Sequence, residues 1–196
     1  LNLSPDHMDR YATVSQYLDA KRRILKGAVK GIVNRDDPTL QKMDVSSAAE
    51  TISFGLNAPL CSADYGVATD PDGADWIVRG HTRILPVSSL SMTGRHNFMN
   101  ALAALALIES AGYQINPPAL DALSAFRGLP HRCEPVLERE GVLWINDSKG
   151  TNPGASEAAL VGLDRPVVLI AGGQSKDADF STLAKAIQRY ARQVLL

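Results

Sequence analysis

Two stretches of this chain switch abruptly from a short apolar run to a cluster of small polar and charged residues, and each then enters a helix-like segment. Val142-Leu-Trp-Ile145 runs into Asn146-Asp-Ser-Lys-Gly-Thr-Asn152, followed at once by Pro153, a residue well suited to the first turn of a helix. Pro166 to Ala171 runs into Gly172-Gly-Gln-Ser-Lys-Asp177, ahead of a helical pattern over Thr182 to Gln193. A strand that ends in a polar loop and feeds a helix is the repeating unit of α/β folds, whose ligands bind at the C-terminal ends of the strands. The fold class expected is therefore α/β, and 146–152 has the address of a binding loop.

The rest of the chain follows the same alternation and then departs from it. Thr13 with Gln16 forms a capping pattern for a helix to about Lys26, and Val29 to Asn34 reads as a strand closed by Asp36-Asp37-Pro38. The runs Thr51 to Phe54, Asp75 to Val78 and Thr82 to Val87, with a turn at Arg79-Gly80-His81, are expected to be antiparallel strands. A helix over His96 to Ala111 is followed by Gly112, Pro117-Pro118 and a second helix to Phe126. Gly128-Leu129-Pro130 then marks a boundary near 127–130, giving domains 1–127 and 128–196. Beyond it, Glu134 to Leu137 and Val142 to Ile145 flank Arg139-Glu140-Gly141 as a hairpin, and Pro166 to Ala171 is expected as a buried strand. Leu1-Asn-Leu3 looks like a strand's end and Val194-Leu-Leu196 like a strand's beginning, so the expectation is a piece of a longer protein.

Bulk properties exclude several classes. A chain of 196 residues, 45% apolar and 21% charged, can bury a sizeable core. Its net charge of −1, with no block of Lys and Arg, argues against nucleic acid as a partner. Cys61 and Cys133 lie far apart without CxxC spacing, so neither a zinc site nor a disulfide framework is indicated, and a cytoplasmic location fits. The run Ala101 to Ile108 is too short to cross a bilayer and the N-terminus lacks the order of a signal peptide, so no membrane partner is expected.

Several residues are candidates for chemistry, each with a plainer alternative. Lys21 completes the series 14, 18, 21, 25 on the apolar stripe of the first helix, where a lysine either snorkels to an edge or is desolvated into a neutral amine that carbon dioxide can carboxylate. His7, beside Asp6 and Asp9 just after a strand end, suits a divalent metal ligand or a donor to a helix-start carboxylate. Asn97 and Asn100, three apart on a helix, present two amides to one side, either to a purine edge or as surface groups. In 146–152, Asp147 offers acceptors to ribose hydroxyls, and Lys149 and Thr151 suit an oxyanion; the alternative is a solvated turn with an Asn cap. His131-Arg132 adds a bidentate cation or an exposed linker charge, and Lys176 is placed to meet an anion. No GxxxxGK[ST] occurs anywhere in the chain.

The segments "LNLSPDHMDRY", "AKRRIL", "GRHNFMNALAALAL", "FRGLPHRCE", "WINDSKGTNPGASEAAL" and "GGQSKDADF", in that order and spacing, closely resemble the Mur ligase family, and in particular its members that add D-glutamate to UDP-N-acetylmuramoyl-L-alanine. The resemblance covers essentially the whole chain. It implies part of a central ATPase domain followed by part of a Rossmann-like C-terminal domain. It also implies a monomeric, ATP-dependent carbon–nitrogen ligase of peptidoglycan synthesis working through an acyl phosphate. Carried over by motif, His7 would bind Mg2+ and Lys21 would be carbamylated to a metal-binding or metal-orienting group. Asn97 and Asn100 would approach adenine, Arg132 the ATP phosphates and Asp147 the ribose, while His131, Ser148, Lys149, Thr151 and Lys176 would meet the other substrates. Sister amide ligases such as folylpolyglutamate synthetase, or a noncatalytic binding fragment, are the competing readings. The family's P-loop, its UDP-binding domain and further C-terminal contacts would lie outside this chain, and Gly150 stands where relatives often carry alanine, a change expected to matter little.

Overall fold

A computed structural model of the chain describes Leu3 and residues 10–41, 48–92, 94–163, 165–174 and 178–196. They fall into two compact bodies, one containing Tyr11–Phe126 and the other Arg127–Leu196.

The first body begins with α1 (Val14–Arg22), capped by Thr13, whose hydroxyl accepts the Gln16 N–H at 3.2 Å, while the Gln16 side chain accepts from the Ala12 N–H at 3.0 Å. A five-stranded sheet follows, made of β1 (Lys30–Asn34), β2 (Glu50–Phe54), β3 (Tyr65–Thr69), β4 (Asp75–Arg79) and β5 (Thr82–Pro86) in that spatial order, with the short helix α2 (Pro38–Gln41) between β1 and β2. The expectation that 51–87 is antiparallel holds only for its second part. β2 runs parallel to β1 over five residue pairs and meets β3 in parallel at Phe54 and Tyr65, whereas β3, β4 and β5 form the antiparallel meander. Thr51 to Phe54 carries no local signal of direction; its partner is a strand some twenty positions earlier, and pairing partners are set by the sheet rather than by the run itself. β3 was not expected because Tyr65-Gly-Val-Ala-Thr has a glycine at its second position and only weak alternation.

The long helix α3 (Arg95–Ser110) lies on β1, β2 and β3 and buries Ala101, Leu102, Ala103, Leu105 and Ala106. Alanines on this face let the helix axis approach the sheet closely, and Leu102, Phe54, Tyr65 and Ile77 interdigitate as fully buried side chains. The α4 helix (Pro117–Ala125) completes the body. Its N-cap Asn116 accepts the Ala119 N–H at 3.1 Å, and Leu120 and Leu123 pack against the core.

The C-terminal edge of β1 and β2 is organised by a buried arginine that the sequence did not single out. Arg35 donates from Nε to Asn57 Oδ1 at 2.7 Å and from its two terminal nitrogens to the carbonyls of Tyr65 (2.7 Å), Asn57 (2.6 Å) and Ala58 (3.2 Å). Burial pulls its pKa down, and the carboxylates of Asp36 and Asp64 act in the opposite direction. Asp36 Oδ2 receives the Leu56 N–H and Asp64 Oδ1 the Ser53 N–H, both at 2.6 Å. Such close approach requires glycine at position 66, where a Cβ would run into the Asn57 carbonyl and the guanidinium.

The second body opens with the hairpin β6 (Glu134–Arg139) and β7 (Val142–Asn146), joined by Glu140 (φ 53°) and Gly141 (φ 77°), the two left-handed residues that a tight hairpin turn demands. There follow α5 (Pro153–Leu163), β8 (Val167–Ile170), α6 (Ser181–Tyr190) and β9 (Ala191–Leu195), with β8 and β9 paired in parallel. Leu160, Leu183 and Ala186 form the small core, against which Val167 and Leu169 pack. The expected buried strand is thus buried on one side only: Val168 is 56% and Ile170 69% exposed. A run buried on both faces needs cover on both, and in this body the two helices pack on one face of the strand, the face of Val167 and Leu169.

Candidate functional site

β7 delivers the polar loop 146–152 to the start of α5, as its sequence position suggests, and the loop's shape is fixed by backbone hydrogen bonds to a second segment, the turn 130–133. Lys149 N–H donates to the His131 carbonyl at 3.0 Å, and Cys133 N–H donates to Asp147 Oδ1 at 3.0 Å. The Asn146 amide stands 2.9 Å from His131 Nδ1, and His131 N–H donates to Glu134 Oε2 at 2.8 Å. Within the loop, Asn146 Oδ1 accepts the Ser148 N–H at 3.1 Å in an Asx turn, and Gly150 N–H closes on the Asp147 carbonyl at 2.8 Å. Asn152 Oδ1 caps α5 through the Ala155 N–H at 2.8 Å.

His131 (φ 64°) and Cys133 (φ 45°) occupy the left-handed region, where a side chain is disfavoured by roughly 1–2 kcal/mol. Two such residues flanking Arg132 persist because the surrounding hydrogen bonds over-determine them, and strain of this kind gathers where a side chain must be aimed. Arg132, Ser148, Lys149 and Thr151 are exposed, and Asp147 is half-buried. The loop therefore offers one oriented carboxylate and, around it, cations and hydroxyls left open to solvent. Burial and the adjacent Asp147 carboxylate, which also takes a hydrogen bond from the thiol, push Cys133 up to about 11.

The sequence singled out Asp147, Ser148, Lys149, Thr151, His131 and Arg132, and all lie on these two cross-tied segments. It missed Asn146 and Cys133, which hold the geometry. Asn146 was detectable, since an Asn two residues before a Ser in a polar turn is an Asx-turn signature. Nothing local marks Cys133.

In the first body, Asn97 and Asn100 stand together on α3, with Asn100 Nδ2 3.5 Å from Asn97 Oδ1. Lys21 departs from the expected apolar stripe. It is exposed, its Nζ lies 5.1 Å from the centre of the Tyr17 ring, and Val14 of the same series is 41% exposed, so Tyr17 and Leu25 supply the buried contacts instead. The ammonium thus lies against the Tyr17 ring one turn away and open to solvent, and the packing of α1 does not bury it. His7 and Lys176 lie outside the described residues. Among the described residues no group of three or more His, Cys, Asp or Glu is placed to hold a metal ion. No described helix is long and apolar enough to cross a membrane.

The UDP-N-acetylmuramoylalanine–D-glutamate ligase of Aromatoleum aromaticum is 49% identical over 198 residues, covering all of this chain and 42% of the relative. That of Nitrosospira multiformis is 46% identical, with all of this chain and 41% of the relative covered. The chain thus spans about two fifths of the length of the curated relatives it matches. Among solved structures, a UDP-N-acetylmuramate–alanine ligase from Thermotoga maritima superposes with a TM-score of 0.65 at 23% identity, covering 98% of this chain and 43% of the other. Folylpolyglutamate synthetase from Lactobacillus casei superposes at 0.59 with 15% identity, covering 98% and 47%. The profile of the Mur ligase middle domain matches residues 1–108, that of the Mur ligase glutamate ligase domain matches residues 131–196, and the chain belongs to the Mur ligase family.

Proposed function

We propose that the full-length protein joins D-glutamate to UDP-N-acetylmuramoyl-L-alanine using ATP, as a cytoplasmic monomer in peptidoglycan synthesis. The observation that carries this reading is the match of the whole chain, at 43–49% identity, to relatives that bear that name. Its chemistry balances in two steps. The substrate carboxylate attacks the γ-phosphorus of ATP, releasing ADP and forming an acyl phosphate; the amine of D-glutamate then attacks the acyl carbon, loses a proton and expels phosphate. An acyl phosphate is readily hydrolysed, so water must be kept away while charge is neutralised on the phosphoryl and tetrahedral oxygens.

The residues divide these tasks. Asp147 accepts from the ribose hydroxyls, which suits a carboxylate already oriented by the Cys133 N–H. Asn97 and Asn100 hydrogen-bond the adenine edge, and Arg132 pairs with the phosphates through its planar fork. Lys149, with His131, Ser148, Thr151 and Lys176, binds substrate carboxylates and stabilises the departing phosphate. His7 and a carbamylated Lys21 are the proposed holders of Mg2+, which when bound supplies charge neutralisation at the phosphoryl oxygens. Carbamylation would require the Lys21 amine to give up its place over the Tyr17 ring.

The test is ADP release by the purified full-length protein under single omission. Release is expected only when UDP-N-acetylmuramoyl-L-alanine and D-glutamate are both present. Turnover with L-alanine on the unextended sugar nucleotide, or with a folate and L-glutamate, would replace this reading with that of a sister ligase.

A further inference from the structure

His131 has two neighbours that pull its ring in opposite directions. The Asn146 side chain meets Nδ1 at 2.9 Å, and the Glu134 carboxylate lies 4.0 Å from the same nitrogen. An amide can turn either end to a ring nitrogen, but the choice is already made at Asn146. Its Oδ1 accepts the Ser148 N–H at 3.1 Å, a backbone group that only donates, so the end facing His131 is the NH2. That NH2 donates and cannot accept, so the neutral ring must leave Nδ1 bare and carry its proton on Nε2. Glu134 would favour the opposite form, with a proton on Nδ1 directed at its carboxylate. Yet 4.0 Å is beyond hydrogen-bond reach, and Glu134 Oε2 already takes the His131 backbone N–H at 2.8 Å. A hydrogen bond made at 2.9 Å outweighs an exposed ion pair of that length.

We propose that Asn146 is a positioning residue that acts through His131: it fixes the imidazole as the Nε2–H tautomer, so that His131 meets an anionic oxygen of a substrate as a neutral hydrogen-bond donor and not as a base. The His131 side chain is 61% exposed, which leaves its far edge open to a ligand. Its neighbours suit an anion: Arg132 follows it in sequence, and Lys149 is tied to the His131 carbonyl through its own N–H at 3.0 Å. A ring with the other tautomer would turn a lone pair towards that oxygen and repel it. This role rests on the reading that the loop after β7 binds the anionic groups of the ligase substrates.

The experiment records the ring-nitrogen NMR signals of the full-length protein, labelled with nitrogen-15 histidine, at about pH 9, where histidine rings are neutral. His131 is assigned by the signals lost in His131→Gln. The native protein is expected to show a protonated Nε2 and a bare Nδ1. Asn146→Asp keeps the acceptor for the Ser148 N–H but sets a carboxylate oxygen against Nδ1, and is expected to reverse the tautomer. At the same pH this variant is expected to lose about 10-fold or more in kcat/KM, the worth of a hydrogen bond to a charged group. A raised KM for D-glutamate assigns the anionic oxygen to a carboxylate, and a raised KM for ATP assigns it to a phosphoryl group. In a His131→Gln background the same change is expected to cost less than about 3-fold, which separates the tautomer from the added charge. A proton on Nδ1 in the native protein, an unreversed tautomer in Asn146→Asp, or an undiminished loss in the His131→Gln background would overturn the proposal. Thermal unfolding checks that the variant keeps its fold; if it does not, the native spectrum alone decides. Failure of the reading beneath shows separately, as native turnover that does not depend on D-glutamate, whatever the tautomer.

Discussion

The most testable single residues are the two cysteines, because their surroundings differ so sharply. Cys61 is exposed, whereas Cys133 is partly buried and held up to about 11 by burial first and by the Asp147 carboxylate second. Iodoacetamide at pH 8 is expected to label Cys61 at least roughly tenfold faster than Cys133, because only the thiolate reacts. Mass spectrometry of the two peptides over time measures this, and equal rates would contradict the contact between Cys133 and Asp147. Asp147→Asn should speed labelling of Cys133 by removing the negative charge beside it. The same shift has a stability consequence. The thiol's ordinary value of 9.0 is raised in the fold, so its contribution is fully present below about 9 and is lost as pH climbs towards about 11. Arg35 is the other residue with an outsized role. Replacing it by methionine leaves the carbonyls of Tyr65, Asn57 and Ala58 without their donors, and a loss of about 3 kcal/mol in urea unfolding is expected.

At the scale of elements, what the sequence announced and what it hid follow from range. The hairpin at Glu140-Gly141, the cap at Thr13, the long helix α3 and the loop after β7 all came from signals within a few residues, and each is present in the structure. The parallel pairing of β2 and the guanidinium that ties 35 to 55–58 and 65 depend on partners 20 to 30 positions away, and no local pattern encodes them. The Lys21 stripe failed for a related reason: periodicity assigns a face, but whether that face is covered depends on what packs against it. The candidate loop was legible as an address, while the orientation of its carboxylate, held by the Cys133 N–H, was not. The cap of α5 provides a quantitative check at this scale. Asn152→Ala removes the acceptor of the Ala155 N–H and is expected to cost about 1 kcal/mol in denaturant unfolding; a change below about 0.3 kcal/mol would mean that the helix start is held otherwise.

For the whole molecule, two bodies each carry part of the proposed chemistry: Asn97, Asn100 and Lys21 on the first, the 131–133 turn and the 146–152 loop on the second. The chain contains no GxxxxGK[ST], the element that cradles phosphates in many ATP-using enzymes, so the 196-residue polypeptide by itself is expected to bind ATP poorly and to show no D-glutamate-dependent phosphate release. Robust release from it would place the phosphate site within these residues and redraw the assignment. The central claim, that the loop following β7 holds the nucleotide through Asp147, is tested most directly by a crystal structure of the full-length protein with ADP. The account predicts a ribose hydroxyl oxygen about 2.6–3.0 Å from an Asp147 carboxylate oxygen, with the Cys133 N–H still on the other; a ribose bound elsewhere, with Asp147 facing only its own loop, would contradict it.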